Sequence, residues 1–481
     1  MKRVLTLLSE PPLEFGNGGR EIDIRLGLMR HGPLEPERAS KVRLGVIGTG
    51  ETNDAFQQWV DKCRVGIDAK ASRQPNLFLP FPGLGNENPF RCAFEIDPMA
   101  VKSIPRSDLG KITSAANTNA AVEAAVDLYA SLAQDIAEAP APPQLIVCTL
   151  PVQLIERVVN GRSTEDEDED EDDPYDVLNF RDLLKARTIH LKLPIQLIWP
   201  TTWDDSAKVA KKLSKLSGRK VQDPATRAWN FFNALYYKAG YVPWRLPRDP
   251  SALATSFIGI SFYRDPLNKN LETSTAQMFD ERGQGLILRG GRARTGKSDR
   301  NPYLARIDAY ELMRRALMAY RSHHQHFPAR VIVYKTSRFR DEEVEGFDEA
   351  LNEAGVPNSD FVWVYENTPF RMFRDGGYPP FRGSLLELDR GAVLYTRGSV
   401  AYYRTYPGLY IPRPLELRPF TRDSSIGDIA AETLALTKMN WNTTQFDGSL
   451  PITLRAAREV SKVLRYVSSG TAEAISYRQY I

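Results

Sequence analysis

The chain has 481 residues, 42% hydrophobic and 26% charged, which is too long for one ordinary domain and apolar enough for sizeable cores. No run of eighteen apolar residues occurs, and the charged start meets Ser9, Glu10, Pro11 and Pro12 too early for a signal-peptide core. A membrane span and an export signal are therefore not expected, and a cytoplasmic location is. Cys63, Cys92 and Cys148 are too few and too widely spaced for a disulfide framework or a zinc pattern. The net charge of +3 hides an uneven distribution, because residues 165–173 are nine consecutive carboxylates and the rest of the chain carries +12 without them. That excess permits contact with nucleic acid but does not demonstrate it.

The first forty residues read as an extended lead-in. A strand over residues 43–47, the turn Gly48-Thr49-Gly50-Glu51 and a helix over residues 53–63 then form one strand–helix unit. Asn53 stands where a dinucleotide fingerprint needs its third glycine, so the unit reads as part of an open sheet. An amphipathic helix over residues 115–137 and a buried strand over residues 144–150 continue the alternation, which predicts a parallel sheet. The acidic run falls in a loop, residues 163–174, read as a disordered insertion; shielding of a basic groove is the alternative.

The stretch over residues 180–246 carries the most chemistry. Arg181 and Lys185 are four apart and share one face of a helix. Gln196 lies in a short apolar run between Pro194 and Pro200 that predicts a buried strand, and Lys238 closes a helix just before Gly240. Brought together, two cations, an amide and a third cation suit a phosphate. Left apart, the first two are a solvated helix face and Lys238 a cation at a helix C-terminus.

Pro247, Pro250 and Ser251 mark a boundary, which divides the chain into residues 1–250 and 251–481. Beyond it come a strand over 257–264, a meander through 277–280 and 285–289, and a helix over 305–323. A strand over 329–334, a helix over 342–354, strands at 361–367, 385–388, 391–395 and 415–419, and helices at 426–437 and 452–466 follow. Strands first, then interleaved helices, predict a ribonuclease-H-like α/β domain.

Two motifs compete for attention. Residues 291–298 satisfy the P-loop pattern with Lys297 as its lysine, but Asp299-Arg300-Asn301-Pro302 opposes the helix that a phosphate loop must enter. His323, His324 and His326 cluster without a carboxylate or cysteine at matching spacing, and suit the end of a helix.

The order Arg-x-x-x-Lys, Gln, Lys at 181, 185, 196 and 238, followed by Gly240, Pro243 and Trp244, resembles the MID domain of Argonaute proteins. The resemblance implies that these four residues hold the 5′-phosphate of a guide strand. Where the family often has a further lysine one turn before the last, this chain has Ala234, which implies a weaker pocket or one assisted by a metal ion, Mg²⁺ at the guide 5′-phosphate. The second half resembles the PIWI domain, most closely in Leu434-Ala435-Leu436-Thr437-Lys438-Met439-Asn440-Trp441-Asn442, then Gln445-Phe446-Asp447-Gly448 and Leu450-Pro451-Ile452-Thr453. Together they imply a Rossmann-like MID domain followed by a ribonuclease-H-like PIWI domain, in the arrangement of short prokaryotic Argonautes.

Slicing requires carboxylates that hold two divalent ions. On the PIWI pattern the first falls at Ser261, the next at Thr336 and the last at Arg458. Two hydroxyls and a guanidinium cannot replace oxyanions around Mg²⁺, so no catalytic residue, no metal in this domain and no cleavage are expected. The resemblance further implies a guide RNA, a complementary single-stranded DNA target and no organic cofactor. It also implies an APAZ-containing effector carrying a TIR, sirtuin-like or nuclease domain, with prokaryotic immunity as the outcome. Residues 378–414, rich in proline and aromatics, are the expected docking loops. The alternatives are a guide-directed endonuclease with an atypical metal site using Asp265, and a P-loop nucleotidase.

Overall fold

The structure is a computed structural model. It describes residues 4–35, 40–85, 87–159, 177–218, 220–247, 251–264, 271–278, 285–296, 301–406, 408, 411–445, 447–467 and 474–481. The acidic run, Asp265, Lys297 and Ser298 lie outside the described residues. The chain forms two compact units, one of Leu28–Pro243 with Arg478–Tyr480, the other of Met1–Gly27, Trp244–Tyr477 and Ile481. No helix among the described residues is long and apolar enough to cross a membrane.

This division differs from a cut at residue 250. The lead-in belongs to the second unit, because the Leu5–Leu7 strand pairs antiparallel with Ser384–Leu388. Two wholly buried cations explain the rest. Arg382 pairs with Glu10 at 2.9 Å, and Lys438 donates to the carbonyls of Pro11 and Ile22 and lies 3.3 Å from Glu10. A buried charge must find acceptors: those of Lys438 come from the first 27 residues, and Arg382 adds the carbonyls of Thr396 and Leu434 and the Thr437 hydroxyl to Glu10.

The unit of residues 28–243 is built on four parallel strands in the order Ala93–Ser103, Lys41–Gly48, Leu145–Thr149, Ile195–Ile198. Parallel strands are covered on both faces, hence the apolar runs Leu44–Ile47 and Leu145–Cys148. The helix Gly50–Val65 is capped by Thr49, whose hydroxyl accepts from the Thr52 amide. Gly48 has no room for a side chain, since a Cβ there would collide with Thr149. One face of the sheet carries the apolar cluster of Ile146, Ile195, Val126 and Leu184. Another cluster is aromatic: Trp59 stacks on Phe232 at 5.8 Å, and Phe81 stacks on Phe232 at 5.5 Å and meets Trp229 edge-on at 5.2 Å. These rings fix the helix Pro224–Lys238, which is buried along nearly its whole second half.

The other unit holds a sheet in which Thr255–Arg264 pairs antiparallel with Leu271–Met278, which pairs antiparallel with Gly285–Thr295. On its far side Thr255–Arg264 pairs parallel with Arg330–Lys335, which pairs parallel with Asn358–Tyr365. This is the ribonuclease-H-like order of an antiparallel meander leading into parallel strands. The helices Arg306–His324 and Asp341–Glu353 cover the face of Ile258, Ile260, Val331 and Val333. Residues of opposite parity face the helix Ile452–Leu464, where Gly259 lets Thr453 approach so closely that a Cβ would strike its carbonyl.

Candidate functional site

In the first unit the helix Phe180–Thr188 carries Arg181 and Lys185, the strand Ile195–Ile198 carries Gln196, and Lys238 is the last residue of Pro224–Lys238. Lys238 is 4% exposed. Its ammonium donates to Gln196 Oε1 at 2.6 Å and to the Ile195 carbonyl at 3.0 Å, and no carboxylate among the described residues pairs with it. Burial pushes its pKa well below the usual lysine value, and the nearby Arg181 charge pushes it further down. Burial also drives the Cys148 thiol far up, so it stays neutral and supplies no anion.

Arg181 keeps part of its surface in solvent and pairs with the buried Asp182 at 2.8 Å. Lys185, 3% exposed, donates to the Tyr480 carbonyl at 3.0 Å, so a residue 295 positions away belongs to the site. Arg478 lies over the ring of the buried Tyr237 at 5.1 Å, beside Lys238 in sequence. The structure therefore joins Gln196 and Lys238 directly and sets Arg181 within electrostatic reach of them, while Lys185 turns to the C-terminal segment. Nothing in the sequence pointed to Tyr480 or to the Ile195 carbonyl, because a main-chain acceptor carries no side-chain signature.

The donor set does not fit Mg²⁺, which takes oxygen ligands. Asp182 is the carboxylate of the site and pairs with Arg181, the Gln196 oxygen accepts from Lys238, and no group of three His, Cys, Asp or Glu able to hold a metal ion occurs among the described residues. What this arrangement can do is hold an anion: an oxyanion entering beside Lys238 would meet charge-assisted donors and return to the lysine the stabilisation that burial removed.

In the second unit Ser261 is buried in Thr255–Arg264, on the same face as Gly259. Thr336 follows directly on Arg330–Lys335; one step beyond the Lys335–Ile260 register pair, it lies beside Ser261. Arg458, on Ile452–Leu464, pairs with Glu366, donating through Nη1 at 3.0 Å. The buried Lys335, by contrast, turns to Glu343, with both carboxylate oxygens at 2.6 Å. Sequence reading missed Glu343 and Glu366 as partners.

The P-loop alternative loses its basis. Residues 291–295 are the end of the strand Gly285–Thr295, paired antiparallel with Pro302–Leu304 at Ala293, Arg294 and Thr295. A strand cannot offer the amide cradle of a phosphate loop entering a helix. His323 and His324 end the helix Arg306–His324, and Tyr320 stacks on His324 at 4.3 Å.

No protein-family model and no curated protein sequence matches the chain. Solved structures do. A structure of Clostridium butyricum Argonaute bound to a guide DNA (5′ deoxycytidine) and a 19-mer target DNA is similar over 100% of this chain and 55% of its own, at 16% identity and a TM-score of 0.65. Drosophila Piwi is similar over 99% of this chain and 56% of its own, at 12% identity and a TM-score of 0.61. Aa-Ago with externally bound siRNA is similar over 99% and 56%, at 14% identity and a TM-score of 0.56. The chain thus spans about half the length of these structures. At these identities the likeness concerns the fold: an α/β chain with a Rossmann-like MID domain and a ribonuclease-H-like PIWI domain, the architecture of Argonaute and Piwi proteins.

Proposed function

We propose that this chain is the guide-dependent recognition subunit of a short prokaryotic Argonaute system. It binds a 5′-phosphorylated guide RNA through Arg181, Lys185, Gln196 and Lys238 and pairs it with complementary single-stranded DNA. The observation that carries this reading is Lys238, a buried ammonium whose acceptors among the described residues are neutral, with the Arg181 cation nearby. A buried cation without a carboxylate is costly unless an anion arrives, and the leading phosphate of a guide supplies one. The structural neighbour from Clostridium butyricum, bound to guide and target DNA, supports nucleic acid as the source of that phosphate.

In this reading the PIWI domain does not cut. Ser261, Thr336 and Arg458 provide no oxyanion for a pair of divalent ions, and Arg458 is committed to Glu366. Recognition without cleavage requires another output, which we assign to an APAZ-containing effector with a TIR, sirtuin-like or nuclease domain, acting against plasmid or phage in the cytoplasm. Within residues 378–414, Tyr378 and Ile411 are exposed apolar side chains that such a partner would cover.

The test is direct binding of guides with and without a 5′-phosphate. Arg181→Ala with Lys185→Ala is expected to weaken the phosphorylated guide by about 100-fold or more, since two charged hydrogen bonds at ~1.5–3 kcal/mol each are lost. Equal weakening of the 5′-hydroxyl guide would move the pocket elsewhere. Incubation with guide, complementary DNA and Mn²⁺ is expected to leave the target intact; products at one fixed distance from the guide 5′ end would establish the endonuclease reading instead.

A further inference from the structure

The strand Leu5–Leu7 ends its sheet. It pairs with Ser384–Leu388 on one side, and among the described residues no strand pairs with it on the other. The Leu8 amide donates to the Gly383 carbonyl and the Glu387 amide donates to the Val4 carbonyl, each at 2.9 Å. Main-chain groups alternate in direction along a strand, so Val4, Thr6 and Leu8 turn theirs to Ser384–Leu388, while Leu5 and Leu7 turn theirs outward. The side chains are bare as well: Leu5 is 66% exposed, Leu7 54% and Val4 48%.

Sheet ends are ordinarily guarded by charge, proline or a bulge, because free amides and carbonyls recruit another strand. The first unit follows that rule. Its end strand Ala93–Ser103 carries Glu95, Asp97, Pro98 and Lys102, and its register shifts against Lys41–Gly48. Leu5–Leu7 has no charge, no proline and an unbroken register, and only its brevity limits it.

We infer that this edge pairs with the same edge of a second copy of the chain, antiparallel about a two-fold axis at Thr6. The stretch is self-complementary, as a two-fold contact requires. With the axis at Thr6, Leu5 meets Leu7 of the other copy and Val4 meets Leu8, so every apolar residue faces an apolar one. Outward groups also meet outward groups, and Leu5 and Leu7 exchange reciprocal main-chain hydrogen bonds across the axis. The leucines of both copies share one face of the joined sheet, and the Thr6 hydroxyls meet on the other. A slip of one residue would oppose Leu5 and Leu7 to groups already bonded to Ser384–Leu388, and a slip of two would set a leucine against Arg3 or Ser9. The pairing is independent of the guide-binding reading above.

The test is sedimentation of the full chain over a range of concentrations, beside a Leu5→Lys, Leu7→Lys variant. A strand this short buries well under the roughly 1,200 Å² of a standard-size interface, so the expected dissociation constant is on the order of 10–100 µM. In the variant, lysines face one another across the axis and are expected to weaken the dimer about tenfold or more. Both positions are exposed, and lysine is a common residue at sheet edges, so folding is expected to be unchanged. Mild oxidation of Thr6→Cys is expected to link two chains, because residues at the axis form the close pair of an antiparallel ladder, with Cα atoms ~4.5 Å apart. Leu5→Cys is expected to link poorly, since its counterpart is displaced by two residues and lies about 8 Å away. Cys63, Cys92 and Cys148 are buried and do not compete. A chain that stays monomeric at about 200 µM overturns the pairing, whatever other protein then covers the edge. So does a dimer that the lysine variant leaves intact, or one that Leu5→Cys links and Thr6→Cys does not.

Discussion

Lys335 and Lys238 are both buried lysines, yet they solve the same problem in opposite ways. Lys335 faces Glu343, itself wholly buried, whose carboxylate also accepts from the amides of Leu304 at 2.8 Å and Arg340 at 3.0 Å. Burial still outweighs the ion pair, and the pKa of Lys335 is lowered to about 8. Lys238 has no such partner among the described residues: its acceptors there are an amide oxygen and a main-chain carbonyl, and its neighbour Arg181 is a cation. The charge of Lys335 is compensated by a carboxylate, whereas that of Lys238 meets neutral acceptors, which is what the proposed anion site rests on. The difference is legible only in the partners, because the two residues share type and burial.

The largest effect expected from breaking this comparison lies at Lys335. Lys335→Ala leaves Glu343 buried with no counter-charge and is expected to cost about 3–5 kcal/mol of stability, read as a fall in denaturation midpoint. Adding Glu343→Gln to Lys335→Met is expected to recover much of that loss, and failure to do so would show that the pair is not the source of the cost. Lys238→Met differs in kind. It removes a desolvated charge while depriving Gln196 and the Ile195 carbonyl of a donor, and the two contributions, each about 1–3 kcal/mol, are expected to offset. Stability then changes little, whereas preference for a 5′-phosphate falls at least tenfold.

The pH dependence sharpens the contrast further. Because Lys238 is lowered in the folded state, the unfolded chain binds more protons in the window between the lowered and the ordinary lysine pKa. Ligand-free stability is therefore raised by this residue as pH climbs through that window, and Lys238→Met removes the contribution. A bound phosphate favours the ammonium, so guide binding takes up a proton there and weakens as pH rises. Calorimetry in buffers of different ionisation enthalpy would detect the uptake; identical heats in all buffers would rule it out. The smallest effect belongs to Arg458→Ala, since that pair with Glu366 is partly solvated: a loss of about 0.5–1 kcal/mol and no change in cleavage are expected.

How much of this was readable beforehand depended on the range of the interaction. Periodicity over residues 115–137 anticipated the helix Thr118–Ala137, and the apolar run at residues 144–150 anticipated the strand Leu145–Thr149. Such patterns are local, and the side chains that produce them also bury them. The spacing of Arg181 and Lys185 placed both on one helix, and Gln196 on a strand, as the structure has them. The P-loop pattern misled because a motif is a string, while a phosphate cradle is a backbone path, and here that path is an antiparallel strand.

By itself the sequence determined the alternating α/β elements of both units and the residue types at Arg181, Lys185, Gln196 and Lys238 on which the proposed anion site rests. Only the tertiary structure decided that the first 27 residues complete the second unit, that Lys185 answers to Tyr480, and that Lys238 meets no carboxylate among the described residues. The reason is physical: hydrophobic period and helix spacing are set within a few neighbours along the chain. The compensation of a buried charge depends instead on whichever distant groups the fold brings within three ångströms or so.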